Sequence, residues 1–263
     1  MATRALDQRR DLWSGALALT CVIDEEAFSL GAHVVIDSGL RPDFSVVTES
    51  TLPAALIGSF GKVLVRVDVT GHAAHASWPE HGVNAARFAA RLSEVPLGMH
   101  PTIKPSQAML SFHSGPTTYQ SIAVPDQARV VINWHTAPGE RGEDVIARLK
   151  ALAGSLDSPA AFAFSIDAPY YPAWETPLDA PLLTAFGSVD EQEFGTPPSY
   201  AYTGYGDTNL LAGAGIPTMT FGALSANYHQ ADEWVDLTSI PQVIRTLLRL
   251  TCQLLPRNER FWK

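Results

Sequence analysis

The sequence predicts an α/β fold that is interrupted by a compact α+β insertion. Three observations lead to this prediction: continuous apolar runs near both ends of the chain, a central segment in which valines alternate with polar residues, and helical spacing between the predicted strands. The chain has 263 residues, of which 46% are hydrophobic and 17% charged, so it is long and apolar enough for one large domain or two of ordinary size. We expect segment boundaries at 1–57, 58–168 and 169–263, with the first and third segments forming one domain.

The first segment is predicted to form a strand, a helix and a second strand. After a short charged helical piece, residues 16–23 are continuously apolar, which is typical of a strand buried on both faces of a parallel sheet. A helix is expected over about 29–38, and Gly39 is a natural C-terminal stop. The second strand is expected over 44–47 and ends shortly before Glu49.

The central segment has the element order of a ferredoxin-like module. Val63, Val65, Val67 and Val69 alternate with polar residues, which predicts a half-exposed strand. Helical spacing follows over 83–92, and the pattern then predicts two strands, a helix and a last strand over 109–112, 128–135, 142–152 and 162–166. The order β-α-β-β-α-β is that of the ferredoxin-like fold.

The α/β pattern returns in the third segment. Helices are expected over 182–186 and 208–213, and an apolar strand over 216–222. The loop after that strand contains His229, and an amphipathic helix over 237–255 follows it.

Charge and cysteine usage exclude several classes of protein. The net charge of -9 and the pI near 5.3 argue against a nucleic-acid partner. Cys21 and Cys252 lie far apart and provide neither a zinc-finger spacing nor a disulfide framework, so a reducing compartment is expected. No apolar stretch approaches the roughly 20 residues of a membrane helix, and no signal peptide is evident, so we expect a cytoplasmic protein without a membrane partner. Dinucleotide, nucleophile-elbow and phosphate-loop motifs are also missing from the sequence.

Acidic residues and one histidine follow the strands that are expected to meet at one sheet edge. Asp24, Glu25 and Glu26 follow the first strand, Glu49 the second, and His229 a later one. Ligands bind beyond the carboxyl ends of such strands, and so many acids would repel one another unless a cation neutralised them. Carboxylate and imidazole ligands suit zinc, manganese or cobalt, and of two adjacent glutamates one can bind metal while the other takes a proton from water. Alternatively, these acids cap a helix N-terminus.

A second candidate site is the loop around His72 and His75, which begins at Gly71 and is followed by 82–85. These two histidines are either ordinary surface residues or part of a small metal site, and the sequence leaves both readings open. The other loop histidines are expected to be surface residues: His33, His81, His100 and His113.

Together these motifs resemble the zinc amidohydrolases of the aminoacylase and acetylornithine deacetylase type, a family that includes succinyl-diaminopimelate desuccinylase and the bacterial glutamate carboxypeptidase. The resemblance covers nearly the whole chain in order. It implies a zinc-peptidase-like catalytic core with an inserted ferredoxin-like dimerisation (lid) domain. The motifs that carry it are 23–26 with 29–32, 48–50, 71–77 with 82–85, and 215–222 with 229–233.

The resemblance implies a role for each candidate residue. Glu25 is expected to be the general base, Glu26 and His229 to bind one metal ion, and Glu49 the other, with zinc as the family's metal and cobalt or manganese as substitutes. His75 is expected to reach from the lid of a partner subunit in a homodimer and to stabilise the tetrahedral oxyanion. The expected substrate is an N-acylated amino acid or small peptide with a free carboxylate.

The sequence also departs from the family pattern. His135 stands where the family usually has a substrate-binding Arg, and Ile122 replaces a usual Asn; Asn84 is the other expected substrate contact. A His-x-Asp motif and a metal-bridging Asp precede the acid motif in the family, and this chain begins just before that motif. We therefore expect an N-terminally shortened member that holds each metal ion incompletely.

Three hypotheses follow. The first is a metal-dependent amidohydrolase. The second is a catalytically impaired fragment that acts as a dimerisation or regulatory partner. The third is a hydrolase with a single-metal arrangement that uses His72 or His75.

Overall fold

The structure is a computed structural model, and it describes residues 1–95, 97–115, 122–202 and 204–255. The chain forms two compact units: an α/β unit, residues 1–58 with 175–263, and an inserted unit, residues 59–174. Within the described ranges, no helix combines the length and the hydrophobicity that a membrane span requires.

The α/β unit contains helices and short strands in alternation. Its helices are α1 (Ala2–Asp7), α2 (Leu30–Asp37), α5 (Pro181–Phe194), α6 (Asp207–Gly213) and α7 (Ile240–Leu254), with a 3-10 turn at Arg10–Leu12. Its strands are β1 (Ser45–Val47), β2 (Ala55–Ser59), β7 (Trp174–Glu175), β8 (Tyr200–Tyr202), β9 (Thr218–Thr220), β10 (Ser225–Ala226) and β11 (Trp234–Val235), where β2 and β7 lie at the boundaries of the unit.

A mixed five-stranded sheet organises this unit. The order is β1-β9-β2-β7, and β8 also pairs with β2. β1 runs parallel to β9 with Val47 opposite Thr220, whereas β2 runs antiparallel to β9. β10 and β11 form a separate antiparallel hairpin. The parallel pairing of β1 and β9 places the residues that follow them at the same edge.

The core of the α/β unit forms between this sheet and helices α5 and α7. Phe186 of α5 packs edge-on against Phe221 with ring centroids 5.0 Å apart, and both are fully buried. Leu182, Met219 and Leu250 belong to the same cluster. Each such side chain contributes about 1.5–3 kcal/mol through burial, so this cluster holds α5 and α7 on the sheet.

The inserted unit has the predicted β-α-β-β-α-β order, which is confirmed. Its strands form one antiparallel sheet in the order β4-β5-β3-β6. The elements are β3 (Gly61–Thr70), α3 (Ala85–Ala90), β4 (Ser106–Ser114), β5 (Gln127–Thr136), α4 (Gly142–Ser155) and β6 (Ala161–Tyr171), with 3-10 turns at Pro79–His81 and Arg91–Glu94.

The alternating valines explain this sheet. Val63, Val65, Val67 and Val69 are fully buried on one face of β3, and the residues between them lie on the other face, where they are half-buried. α4 contributes Val145, Leu149 and Ala153 to the same core, at the four-residue spacing of one helix face.

The predicted strand over residues 16–23 is wrong. No described strand pairs with this segment, which has no regular secondary structure. Leu19 and Ile23 are 70% and 74% exposed. A strand buried on both faces needs hydrogen-bonding neighbours and a covering layer on each face, and the described elements provide neither to this run.

Several other elements differ in extent from the prediction. α5 continues to Phe194 and ends at Gly195, whose φ of 72° suits a glycine C-cap. Five short strands were not predicted, namely β2, β7, β8, β10 and β11. Four of them have only two or three residues, and the five residues of β2 are buried along most of its length, so they do not alternate.

Candidate active site

Asp24 forms the turn that presents Glu25 and Glu26. Its φ is 70°, a left-handed conformation that Asp tolerates. Its Oδ2 accepts hydrogen bonds from the backbone N–H groups of Phe28 (3.3 Å) and Leu30 (3.4 Å) at the start of α2. Of the acids that follow residues 16–23, Asp24 therefore has the helix-capping role.

Glu49 follows β1 at the edge where β9 also ends. The backbone of Glu49 passes directly over Gly222, and a Cβ atom at position 222 would overlap with the carbonyl of Glu49. The N–H of Gly222 donates to Thr51 Oγ1 at 3.0 Å. Gly222 therefore allows the segment after β9 to pack closely against the segment that carries Glu49.

His229 lies in the loop of the β10–β11 hairpin. Its φ of 60° and that of Asn227, 63°, turn the chain sharply, and the Asn227 side chain donates to Asp232 Oδ2 at 3.0 Å. The hydroxyl of Tyr228 donates to the carbonyl of Ser50 at 3.0 Å. This hydrogen bond joins the neighbours of His229 and Glu49, so it fixes the two loops relative to each other.

Glu26 and His229 are in direct contact. Glu26 Oε2 and His229 Nε2 are 3.6 Å apart, and their side chains are 77% and 75% exposed. The pair is therefore open to solvent, and both groups are accessible to an ion from solution.

Glu25 lies deeper than this pair. Its carboxylate rests against Gly206, where any Cβ atom would overlap with Glu25 Oε1. Burial raises the pKa of Glu25 to about 7, and the charges of Glu49, Asp207 and Glu26 add to this, while His229 opposes it. The pKa of Glu49 is also raised, by burial first and then by Glu26 and Asp207.

Asp207 is a member of this cluster that sequence reasoning missed. It begins α6 and is 6% exposed, and its Oδ1 has no hydrogen-bond partner within the described ranges. Burial raises the pKa of Asp207, and a hydrogen bond with Ser29 acts in the opposite direction. The available signal was an acid directly after Gly206 at the start of a predicted helix.

The donor types fit a divalent cation, although the described residues form only part of a ligand set. Glu49, Asp207 and Glu26 all raise the pKa of Glu25. The buried Oδ1 of Asp207 also has no hydrogen-bond partner among the described residues. Both observations indicate an excess of negative charge, which a cation would compensate. Among the described residues, however, no three His, Cys, Asp or Glu side chains converge as metal ligands. Glu26 and His229 are the contact that the described chain provides.

His75 lies in the inserted unit, in an exposed turn. Its Nδ1 accepts a hydrogen bond from the backbone N–H of Ser77 at 3.1 Å, and its ring centroid is 5.0 Å from that of Trp78. With Nδ1 accepting, a neutral His75 carries its proton on Nε2, which leaves that nitrogen as a donor.

The single-metal arrangement around His72 and His75 is not found in the described part of the inserted unit. No three His, Cys, Asp or Glu side chains of that part are grouped so that they could hold a metal ion. His72 pairs through its backbone with Val83, and His75 with Ala123. These bridges place the two residues on different neighbouring segments, which explains why the close sequence spacing does not produce a ligand set.

The two expected substrate contacts have local structural partners. Asn84 is the N-cap of α3, and its Oδ1 accepts from the N–H of Arg87 at 3.1 Å. His135 Nδ1 lies 2.9 Å from Ser106 Oγ, its Nε2 lies 3.2 Å from Asn133 Nδ2, and its ring lies 4.3 Å from that of Phe60. Burial, and then Lys62, lower the pKa of His135, so it is a neutral polar group.

Comparison with known proteins identifies relatives of both units. Residues 57–160 match the family model of the peptidase dimerisation domain. The chain is 27% identical over 213 residues to the Escherichia coli protein YgeY, and this alignment covers 72% of this chain and 52% of that protein. It is 25% identical over 260 residues to the succinyl-diaminopimelate desuccinylase of Paracoccus denitrificans, and this alignment covers 90% of this chain and 65% of that enzyme. An acetylornithine deacetylase of Aliivibrio fischeri is 38% identical over 80 residues, 30% of this chain and 20% of that enzyme.

Solved structures have the same fold. Aminopeptidase PepT of Bacillus cereus superposes with a TM-score of 0.77 at 19% identity, over 96% of this chain and 68% of that one. The YXEP protein of Bacillus subtilis, a dinuclear metal-binding peptidase of the M20 family, gives 0.71 at 18% identity, over 95% and 68%.

The predicted resemblance is therefore confirmed: residues 57–160 match an M20-type peptidase dimerisation domain, and the chain is similar in sequence to a succinyl-diaminopimelate desuccinylase and an acetylornithine deacetylase. It spans about half to two thirds of the length of the relatives to which it aligns over most of its own length.

Proposed function

We propose that this protein is a metal-dependent amidohydrolase that hydrolyses the amide bond of N-acyl amino acids or small peptides. The observation that carries the proposal is the cluster of Glu25, Glu26, Glu49 and His229, in which Glu25 is a half-buried carboxylate with a pKa near neutrality. The homology to a desuccinylase and a deacetylase supports the same reaction class.

Glu25 is the proposed general base. A base is most effective when its pKa lies near the working pH, because it then both accepts a proton from water and returns it to the leaving amine. Without metal the pKa of Glu25 is about 7, and a metal ion beside it would lower this value, so that the carboxylate is charged at neutral pH and can accept the proton; its Oε1 lies against Gly206.

Glu26 and His229 are the proposed ligands of one metal ion, and Glu49 is the proposed ligand of a second. When bound, a zinc ion would supply a Lewis acid at the amide carbonyl, and manganese or cobalt could replace it. Tyr228 keeps the loop of His229 beside that of Glu49 through its hydrogen bond to Ser50.

The inserted unit is proposed to form a homodimer, as its match to a dimerisation domain suggests. His75 of the second copy would then offer its Nε2–H to the oxyanion that forms at the amide carbon. His135 is the proposed contact for the substrate carboxylate, and Asn84 could add its amide N–H because its Oδ1 already caps α3.

A second candidate function is a dimerisation or regulatory partner without catalysis. The observation that favours it is that the described residues do not assemble three metal ligands. The inserted unit would carry this function, because it matches the dimerisation domain independently of the acidic cluster.

Substitution of the two adjacent glutamates tests the proposal. Glu25→Gln should lower hydrolysis of an N-acyl amino-acid panel by about 100-fold or more while bound zinc is retained. Glu26→Gln should lower the zinc content itself, and Glu191→Gln, at an exposed position of α5, should change neither. If the wild-type protein binds no zinc and hydrolyses no member of the panel, the second candidate function replaces the first.

A further inference from the structure

The α/β unit contains a cavity that does not include any residue of the acidic cluster. Its volume is about 290 Å³, and it lies where the end of α5, the loop after it and the start of α7 meet. Small-molecule sites in proteins begin at about 300 Å³, so the cavity is at the lower end of this range and suits only a small organic molecule.

The walls of the cavity combine apolar and acidic groups. Leu52, Phe194 and Leu224 provide apolar surface, and Asp190, Asp236 and Gln242 provide polar groups. None of the described residues that line the cavity is basic. An anionic ligand would therefore meet two carboxylates without a compensating cation.

Asp190 is the unusual member of this lining. It is 7% exposed, and no hydrogen bond or ion pair of its carboxylate exists within the described ranges. Burial alone raises its pKa to about 6. The described chain encloses most of this residue but supplies no donor to its carboxylate, whose oxygens can be reached only from the cavity, so a ligand in the cavity can supply the donor.

The basic side chains of the adjacent helix α7 form ion pairs with a different acid of α5. Glu193, one turn after Asp190 on α5, pairs with Arg245 at 2.7 Å and with Arg249 at 3.4 Å. Asp236 has its own donors, because the N–H and hydroxyl of Thr238 both bind its Oδ1. Asp190 is thus the cavity carboxylate that has no donor from the described chain.

We propose that this cavity binds a small protonated amine, with the ammonium group on Asp190 and the apolar part against Leu52, Phe194 and Leu224. The ammonium group would supply the donors that Asp190 lacks. This second site is independent of the proposed hydrolase function, since its residues and those of the acidic cluster do not overlap.

A pair of probes of equal shape tests the charge requirement. Benzylamine is protonated at neutral pH, whereas benzyl alcohol is uncharged, and the binding of each is measured by NMR titration of the isotope-labelled full chain. The wild-type protein should bind benzylamine at least about tenfold more tightly than benzyl alcohol. Equal affinity for both probes, or no detectable binding of the amine, would overturn the proposal.

Three variants locate the binding. Asp190→Asn should weaken benzylamine binding by about tenfold or more, whereas Glu191→Gln removes the same charge from the exposed neighbour on α5 and should bind like the wild type. Glu25→Gln should also bind like the wild type. Unchanged affinity in Asp190→Asn, or a loss in Glu25→Gln, would show that the amine binds elsewhere. The comparison of the two probes on the wild-type chain does not depend on the folding of any variant.

Discussion

Glu26 Oε2 lies 3.6 Å from His229 Nε2, although the two residues belong to the two separate chain segments that form the α/β unit. The contact results from the turn at Asp24 on one side and the β10–β11 hairpin on the other. It joins two of the proposed metal ligands directly, and the roles proposed for Glu25 and Glu49 are built around it.

The pKa of Glu25 should depend on metal. In chelator-treated protein, burial and three neighbouring acids hold this pKa near 7, so Glu25 is protonated below pH 7 and charged above it. A nearby divalent cation favours the charged form and should lower the pKa by about 1 unit or more. The measurement is a 13C NMR titration of the Glu carboxyl carbons with and without zinc. A pKa that does not move when zinc is added would argue against a metal ion beside Glu25.

Gly206→Ala should impair the site while preserving the fold. A Cβ atom at position 206 overlaps with Glu25 Oε1, so the carboxylate must move, and misplacement of a catalytic group costs about 10- to 100-fold in rate. Steady-state kinetics and circular dichroism measure the two effects. Gly154→Ala is the control, because a Cβ at that α4 position meets no atom within 4 Å. Equal activity of Gly206→Ala and wild type would contradict the position assigned to Glu25.

His75→Ala should lower kcat more than it changes KM. The Nε2–H of His75 is the proposed oxyanion donor, and loss of one such donor costs about 100- to 1,000-fold. His81→Ala is the control, since its side chain is 72% exposed in the same region of the inserted unit. Mixed dimers of His75→Ala with Glu25→Gln should recover part of the activity if His75 acts on the other subunit. Loss of bound metal in His75→Ala would instead show that His75 is a metal ligand, as in the third hypothesis.

Asp190→Asn should stabilise the protein at alkaline pH. Burial raises the pKa of Asp190 from 3.8 to about 6, so the folded protein holds this proton more tightly than the unfolded chain does. The wild type therefore loses stability as the pH rises from 3.8 to about 6, and below pH 3.8 this loss is absent. Because the carboxylate borders a cavity, the full linkage energy is reduced, and we expect a gain of about 1–2 kcal/mol at pH of about 8 and almost none near pH 3. Urea unfolding at the two pH values measures this, and an equal change at both would refute the shifted pKa.

The fold of the inserted unit was predictable because its signals are local. The alternation of Val63 to Val69 fixes which face of β3 is buried, and the spacing of Val145, Leu149 and Ala153 does the same for α4. Residues 16–23 show the limit of this reasoning. An apolar run predicts burial, but burial depends on elements that cover the run, and here Leu19 and Ile23 face solvent.

The candidate site was predictable in part, for a related reason. Glu25, Glu26 and Glu49 were singled out because they follow expected strands, and His229 because it follows the last one. Asp207 was missed because its local signal, an acid between Gly206 and a predicted helix, is shared by ordinary helix-start acids; its proximity to Glu25 and Ser29 arises from tertiary packing. Asp24 was grouped with the metal-site acids, with helix capping as the alternative, and its hydrogen bonds to Phe28 and Leu30 support the alternative for this residue.

The most direct test of the central claim is a single measurement of zinc-dependent hydrolysis. Purified full chain is treated with chelator, zinc is restored in steps, and bound metal and the release of amino acid from an N-acyl amino-acid panel are measured in the same samples. Hydrolysis should be absent without zinc and should rise in proportion to bound zinc. Stoichiometric zinc binding without hydrolysis, or no zinc binding at all, would contradict it and leave the dimerisation or regulatory role as the function of this chain.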